Sequence, residues 1–143
     1  MRPTIVPYLA LDRATEFIDF AQRVFGAQLK GRLDRPDGSL MHAELTIADS
    51  LIMVGTPMGE FSAAPGWLFA TVDDCDAVFA EAIANGGAEV MPLTHMHHAG
   101  ERYGGVRDPF GNVWWIAATP DGSVSWAEQQ RRIDALPAQE LGQ

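Results

Sequence analysis

Residues 100–116 read GERYGGVRDPFGNVWWI, and this stretch decides how the rest of the chain is organised. Its centre, Asp108-Pro109-Phe110-Gly111, is typical of a tight turn, because proline presets φ, aspartate bonds its own backbone and glycine accepts positive φ. The run Val113–Ile116 is apolar and rich in β-forming residues, so the sequence predicts a strand, a turn and a second strand. Two tryptophans within this run are a large apolar load, and we expect at least one face of the hairpin to be buried.

The composition is that of one globular domain. The chain has 143 residues, of which 47% are hydrophobic and 20% are charged. No apolar run approaches the roughly 18 residues of a membrane span, and Met1–Thr4 lacks the apolar core of a signal peptide. Cys75 is the only cysteine, which excludes an intramolecular disulfide and suits a reducing compartment. We therefore expect a cytoplasmic protein with no membrane partner.

The charge distribution is strongly acidic. The formal net charge is −9. Between Arg35 and Arg102 there is no Lys or Arg, whereas ten Asp and Glu occur there. Nucleic-acid binding needs a basic footprint, so this distribution argues against it. The excess acid serves either solubility or an acidic cleft that favours a cationic ligand.

The first part of the chain predicts a βαβββ unit. A helix begins after Asp12, a good N-cap, and ends at Gly26, and its apolar residues recur at amphipathic spacing. Arg35–Gly38 predicts a hairpin turn, and the Gly- and Pro-containing residues 56–66 predict a linker. The strands are predicted at residues 5–11, 27–33, 39–47 and 51–54.

The pattern then repeats. The second unit predicts a helix that Asp73 caps and that ends at Asn85-Gly86-Gly87, an irregular or strand-like segment at 94–99, and strands at 67–72 and 88–93 before the hairpin. The two halves align without a gap at an offset of 61 residues, and Leu51–Val54 aligns with Val113–Ile116 at an offset of 62. One unit alone cannot bury both its sheet and its helix, so two units must share a core.

A short tail follows the repeat. Ser125–Glu128 matches a capping box and predicts a helix to about Leu136. The helix carries few apolar residues, so we expect it to dock on the body of the protein or on a partner chain. Residues 137–143 are expected to fray.

Two βαβββ units with Asp-Pro-Phe-Gly-x-x-Trp-x-Ile in the last hairpin resemble the vicinal oxygen chelate superfamily, which includes glyoxalase I, the bleomycin resistance proteins and the extradiol dioxygenases. Within it the chain is most similar to the PhnB-like branch. The stretches that carry this similarity are Pro7–Leu9, Val24–Ala27, Met41–Leu45, Ile47–Met53, Val72–Phe79 and Glu101–Gly111.

The resemblance implies an α+β fold, in which two βαβββ modules form an open curved-sheet half-barrel around a ligand cavity. Residues 1–143 would form one such domain, with modules at about 4–55 and 67–119, a linker at about 56–66 and a C-terminal helix at about 125–136. The resemblance also implies a homodimer, and it leaves open whether each cavity is built from one chain or from two.

Enzymes of the superfamily mostly hold a divalent metal on the cavity floor. Mapped onto this chain, the four ligand positions fall at about Val6, Met53, Trp67 and Trp115. Valine and tryptophan offer no lone pair to a metal, and methionine offers only a soft thioether. We therefore expect no metal cofactor and instead an apolar floor of Met53, Trp67 and Trp115 that suits a flat or cationic organic ligand.

Two groups of side chains could still carry chemistry. His42 and Glu44 share one strand face, where they form a polar surface, contact a ligand or hold a metal. His95, His97 and His98 form a solvated loop, a lid over the cavity or a metal site. The sequence leaves these alternatives open.

Arg102 and Tyr103 belong to the signature of the PhnB-like branch. Arg102 is predicted either to tie the hairpin together through a salt bridge to Asp108 or Glu44, or to clamp an anion or carbonyl at the cavity mouth. Tyr103 can supply a hydroxyl donor to the same ligand.

Two other residues are assigned to structure. Trp114 is expected in the core or in an interface, and Cys75 is expected to be structural, because its acidic neighbours oppose a thiolate.

These observations predict a metal-independent protein that binds a small organic molecule. The alternative is a lyase, isomerase or transferase-like enzyme with a displaced metal or none, in which His42, Glu44 and Arg102 serve as base, orienting acid and oxyanion clamp. A third possibility is a structural module whose cavity is filled by tryptophan side chains. The sequence alone decides neither the ligand nor whether a reaction is catalysed.

Overall fold

The computed structural model describes residues 2–137, and the first half of the chain forms one βαβββ module. Its strand order is β1-β4-β3-β2, with β1 parallel to β4 and the other neighbours antiparallel. The elements are β1 (Tyr8–Ala10), α1 (Ala14–Phe25), β2 (Gln28–Asp34), β3 (Leu40–Ile47) and β4 (Ser50–Gly55).

The second module repeats this topology. Its strand order is β5-β8-β7-β6, again with the first strand parallel to the last. The elements are β5 (Trp67–Thr71), α2 (Cys75–Ala84), β6 (Ala88–Met96), β7 (Glu101–Arg107) and β8 (Val113–Ala118), followed by α3 (Trp126–Asp134). The registers correspond, since Tyr8 pairs with Met53 and Phe69 pairs with Trp115, at the offsets of the sequence repeat. The predicted fold class is confirmed.

One core joins the two modules. The apolar face of α1 buries Phe17 completely, and this ring packs edge-on against Phe110 of the second module. Trp114 on β8 is only 2% exposed and stacks on Phe25 with 4.1 Å between ring centroids. Trp114 is therefore a core residue, as expected, and α1 packs against the second module as well as its own.

The turn between β7 and β8 is held by a buried carboxylate. Asp108 accepts hydrogen bonds from the backbone N–H groups of Phe110 and Asn112, and from the side chains of Asn112 and Trp114, all at 2.9 Å. The Asn112 side-chain oxygen accepts from the backbone N–H of Gly66 at 2.9 Å. The turn thus also fixes the end of the linker, just before β5 begins.

The N-caps of α1 and α2 each lie one residue later than the sequence predicted. The helix α1 starts one residue later than predicted, with Arg13 rather than Asp12 at the N-cap and no side-chain cap. In α2 the cap is Asp74, not Asp73, and its carboxylate accepts from the backbone N–H of Ala77 at 3.1 Å. In α2 the loop conformation thus selects which of two adjacent aspartates reaches the free N–H groups, whereas no side chain reaches those of α1.

The strand and tail boundaries also differ. The strand β1 spans only residues 8–10, and β6 extends to Met96, so the first part of the segment predicted as irregular or strand-like is a strand. The cap of α3 is confirmed, because the Ser125 hydroxyl accepts from the backbone N–H of Glu128, although α3 ends at Asp134. Most of the tail expected to fray, residues 138–143, lies outside the described part of the chain. Within residues 2–137 there is no helix that is long and apolar enough to cross a membrane.

Candidate functional site

The face of the second sheet that points away from α2 carries four grouped aromatic rings. Trp67 and Phe69 lie on β5, Trp115 on the adjacent β8, and Tyr103 on β7 beyond it. Ring centroids are 5.6 Å apart for Trp67 and Trp115, 5.8 Å for Phe69 and Tyr103, and 6.3 Å for Tyr103 and Trp115. We call these four residues the aromatic wall. Trp67 is 74% exposed and Phe69 is 55% exposed, so the wall is open to a ligand.

A glycine on β7 makes room for the wall. Gly105 pairs with Trp115 in the β7–β8 ladder. A Cβ atom at Gly105 would lie 2.8 Å from the indole ring of Trp115. The absence of a side chain at this position lets the indole lie across the strand.

The wall has an acidic neighbour. Glu101 is two residues before Tyr103 on β7, and so its side chain lies on the same face of the sheet. Burial raises the pKa of the Tyr103 phenol above its usual value, and the negative charge of Glu101 raises it further. Tyr103 is therefore a neutral hydroxyl donor at physiological pH, beside a carboxylate.

The open face of the first sheet carries polar side chains, whereas the open face of the second sheet carries the aromatic wall. His42 Nε2 lies 3.3 Å from Glu44 Oε2, and both side chains are partly buried on β3. Glu44 pairs with Met53 of β4, and the Tyr8 ring stacks on His42 with 5.8 Å between centroids. The sequence prediction that His42 and Glu44 share one strand face is confirmed.

Arg102 does not join either group. It alternates with Tyr103 along β7, so its side chain points to the opposite face, toward α2. Its guanidinium donates to both carboxylate oxygens of Asp76, at 2.8 and 3.2 Å. The predicted salt bridge to Asp108 or Glu44 was therefore wrong, and the pairing with Arg102 lowers the pKa of the Asp76 carboxyl. The structure thus separates Arg102 from the aromatic wall and from His42 and Glu44.

The histidines at the end of β6 contact the tail segment. His95 Nε2 lies 3.1 Å from Asp121 Oδ2, and the His95 and His97 rings are 4.4 Å apart. Arg132 of α3 donates to the His97 carbonyl oxygen at 2.8 Å, which anchors α3 to the second module. Within residues 2–137 no group of three or more His, Cys, Asp or Glu is arranged to hold a metal ion.

Cys75 is buried at the start of α2. Burial raises the pKa of its thiol, and the charge of Asp76 adds to that effect. A thiol that resists ionisation is a poor nucleophile, which fits the structural role expected for it.

A comparison with protein-family models identifies the family of this chain. Residues 5–116 match the model of the glyoxalase/bleomycin resistance protein/dioxygenase superfamily. The chain belongs to this superfamily. The resemblance read from the sequence is therefore confirmed, and the aromatic wall lies on the open sheet face of a superfamily module.

Relatives and solved structures agree with this assignment. The uncharacterized protein Mb0911c of Mycobacterium bovis is 34% identical over 125 residues, which covers 80% of this chain and 82% of that protein. TioX from Micromonospora sp. ML1 is 27% identical with a TM-score of 0.65, over 86% of this chain and 98% of that one. The PhnB protein from Bacillus cereus is 20% identical with a TM-score of 0.64, over 81% of this chain and 99% of that one, and shares the fold.

The superfamily implies a divalent metal, and the resemblance maps its ligands to about Val6, Met53, Trp67 and Trp115. Of these side chains only Met53 offers a lone pair, on a sulfur suited to soft ions, so this donor set does not suit such a metal. Among residues 2–137, neither His42 with Glu44 nor the three histidines are joined by the further ligands that a metal site needs.

Sequence reasoning missed three residues on the open faces of the two sheets. Phe69 and Tyr8 stand at corresponding positions of the two modules, and Glu101 shares the face of Tyr103. The strand alternation could have found Phe69, since it follows Trp67 by two residues. The offset of 61 relates Phe69 to Tyr8, and so the repeat pointed to both.

Proposed function

We propose that this chain is a metal-independent binding protein that holds a planar organic cation against the aromatic wall. The observation that carries the proposal is the grouping of Trp67, Phe69, Tyr103 and Trp115 on one open sheet face, with ring centroids 5.6 to 6.3 Å apart. Such a surface favours planar ligands that stack on its rings. A cation over a tryptophan face adds about 0.5 to 2 kcal/mol for each contact.

The charge around the wall supports a cation over an anion. Glu101 lies on the face of the wall, close enough to raise the pKa of Tyr103. The formal net charge of the chain is −9, which raises the local concentration of cations at its surface. Arg102, the one cation predicted for this cavity, lies on the other face of the sheet and is paired with Asp76.

The binding test uses two dyes with the same fused rings. Both dyes are measured at pH 8, where proflavine is a planar cation and acridine is neutral. We expect proflavine to quench the tryptophan fluorescence at lower concentration than acridine. Trp67→Ala is expected to weaken proflavine binding about tenfold. Trp126→Ala is the matched control, because Trp126 is also highly exposed, at 86%, but lies on α3 and is not one of the four rings of the wall.

Metal independence has its own test. The protein is incubated with Mn, Fe, Ni and Zn salts and desalted, and its metal content is measured. We expect near-zero retention, because the four positions of the superfamily site offer no hard donor. About one tightly held ion for each chain or dimer would contradict the proposal and would point to His42 and Glu44, or to the His95–His98 segment, as a relocated site.

We also infer that the protein works as a homodimer. Apolar side chains on the open faces are unusually accessible in the single chain, above all Trp67 and Phe69. A second copy that covers part of this surface would turn an open wall into a cavity. Sedimentation equilibrium at micromolar concentration measures the oligomeric state. A monomer that still binds proflavine would contradict the homodimer and leave the binding proposal intact.

An enzyme is the second candidate, and the contact between His42 and Glu44 favours it. A carboxylate 3.3 Å from Nε2 can hold the imidazole in one tautomer and leave Nδ1 free to accept a proton. If a ligand found by screening is also converted, His42→Ala is expected to abolish turnover while leaving its affinity unchanged. Loss of both together would favour a purely binding role for His42.

A further inference from the structure

A cavity adjoins the first strand of the first module. It is an open cleft of about 860 Å³ between β1 and the first part of the linker. We call it the linker cleft. Its walls are mainly apolar, and the residues used below are Tyr8, Arg35, Pro57, Met58, Glu60 and Phe61. None of the four residues of the aromatic wall lines it.

Arg35 gives the linker cleft a fixed positive charge. Its guanidinium donates to the Thr56 carbonyl oxygen at 2.9 Å and to the Ser39 hydroxyl at 3.2 Å. Both acceptors are neutral, so they orient the group without cancelling its charge. A guanidinium carries five N–H donors, and these two bonds leave three of them for another partner.

The acidic residues near Arg35 leave that charge available. Within residues 2–137 Arg35 forms no ion pair with a carboxylate. The pKa of the Asp37 carboxyl is lowered mainly by the hydrogen bonds that it accepts from the backbone N–H and hydroxyl of Ser39, and the charge of Arg35 contributes less. Glu60 also lines the cleft, but it is exposed, so water and salt screen its charge more than that of the half-buried Arg35.

We propose that the linker cleft binds an amphipathic organic anion, a molecule with an aromatic or alkyl body and one carboxylate or sulfonate, with Arg35 as its anchor. Met58, Phe61 and Pro57 would pack against the apolar body, and the guanidinium would donate two parallel hydrogen bonds to the anion. The site does not depend on the proposed function, because its lining includes none of the aromatic wall and it takes a ligand of the opposite charge.

The cleft also adjoins the first module's polar face. Tyr8 lines the cleft, and its ring stacks on His42. Tyr8 also covers Gly55, where a Cβ atom would lie 2.5 Å from the Tyr8 hydroxyl oxygen. A ligand in the linker cleft therefore lies one aromatic ring away from His42 and Glu44.

The test compares two dyes that differ only in their charge. The first is 8-anilinonaphthalene-1-sulfonate, and the second is N-phenyl-1-naphthylamine, the same rings without the sulfonate. Both become fluorescent in apolar sites. We expect the wild-type protein to bind the sulfonate more tightly than the neutral dye, and Arg35→Gln to weaken sulfonate binding about tenfold while leaving the neutral dye unchanged.

Three further variants make the result specific. Arg35→Lys keeps the charge but cannot donate two parallel hydrogen bonds from one planar group, so its sulfonate affinity should lie between those of the wild type and Arg35→Gln. Phe61→Ala should weaken the binding of both dyes, because it removes apolar surface from the linker cleft and leaves the charge of Arg35 unchanged. Arg23→Gln is the matched control, since Arg23 is an exposed arginine at the end of α1 and should leave both dyes unaffected.

Several outcomes would overturn the proposal. Equal sulfonate binding by Arg35→Gln and wild type would remove Arg35 as the anchor. Loss of sulfonate binding in Trp67→Ala but not in Phe61→Ala would assign the anion to the aromatic wall. Tighter binding of proflavine than of the sulfonate, lost in Glu60→Gln, would make the linker cleft a cation site. Proflavine binding that depends on Trp67 is a separate result and tests the proposed function alone.

Discussion

The indole Nε1 of Trp114 donates to the Oδ2 atom of Asp108 at 2.9 Å, and both side chains are almost completely buried. This bond connects the turn between β7 and β8 to the core, because the other side of the Trp114 ring packs on Phe25 and Phe17 of α1. Within residues 2–137 every buried side-chain nitrogen and oxygen has a hydrogen-bond partner. Asp108 supplies the acceptors for four of the donors around this turn.

Replacing Asp108 is expected to destabilise the whole chain. Asp108→Ala leaves buried donors of Trp114 and Asn112 without an acceptor, and each such group costs about 1 to 3 kcal/mol. We expect a loss of about 3 to 5 kcal/mol in the free energy of unfolding, measured by urea denaturation. Asp12→Ala is the control, because Asp12 is exposed and caps no helix.

A double-mutant cycle separates the Trp114 bond from the other bonds of Asp108. Trp114→Phe removes the N–H and keeps an aromatic ring in the core. We expect a coupling of about 1 to 3 kcal/mol between this change and Asp108→Asn. Additive effects would mean that the indole–carboxylate bond contributes nothing beyond the packing of the ring.

The fold was readable from the sequence because periodicity and turn chemistry recur in both halves. The offset of 61 that aligns Val6 with Trp67 also aligns Tyr8 with Phe69, and these two residues occupy the same place in their sheets. A repeat of this kind depends only on which residues are apolar and which can turn, and both properties are local.

The site was only partly readable, for two physical reasons. Arg102 and Tyr103 are neighbours on one strand and must point to opposite faces, so strand alternation by itself excludes a cavity that both side chains line. The partner of Arg102, by contrast, is Asp76 on α2, which the sequence places 26 residues away with no pattern to connect them. The linker cleft depends on the path of residues 56–64, and composition does not determine that path.

The cap of α2 provides a matched pair of variants. Asp74 accepts from the backbone N–H of Ala77, whereas Asp73 makes no such bond to the start of α2. Asp74→Ala is expected to lower the free energy of unfolding by about 1 kcal/mol, and Asp73→Ala by much less. Thermal and urea unfolding measure both. Equal losses would mean that the charge near the start of the helix matters and the cap geometry does not.

Gly105 tests the geometry of the aromatic wall without removing any ring. In Gly105→Ala the new methyl group meets the outer edge of the Trp115 indole at 2.8 Å, so the indole must move and the wall loses its arrangement. We expect proflavine affinity to fall several-fold with little change in stability, because the far end of a side chain can shift at low cost. Gly31→Ala is the control, since nothing lies within 4 Å of its Cβ position. Unchanged proflavine binding in Gly105→Ala would mean that the ligand does not contact Trp115.

The carboxyl group of Glu128 is expected to titrate far below its usual range. Hydrogen bonds from Arg131 and Arg132 lower its pKa from 4.5 to about 2. A lowered folded-state pKa stabilises α3 above pH 4.5, and this contribution is lost as the pH falls toward about 2. Carbon NMR of the labelled carboxyl group gives the midpoint directly.

The two arginines separate the ion pair from the helix cap that Ser125 provides. Replacing both Arg131 and Arg132 with glutamine should return the Glu128 midpoint toward 4.5, whereas Ser125→Ala should leave it low. High salt should also raise the midpoint in the wild type, because solvent ions reach the partly exposed carboxyl group and screen its pairing with the arginines. A wild-type midpoint near 4.5 at low salt would mean that the arginines do not hold the carboxylate in solution, and α3 would then depend on Arg132 and its bond to the His97 carbonyl oxygen.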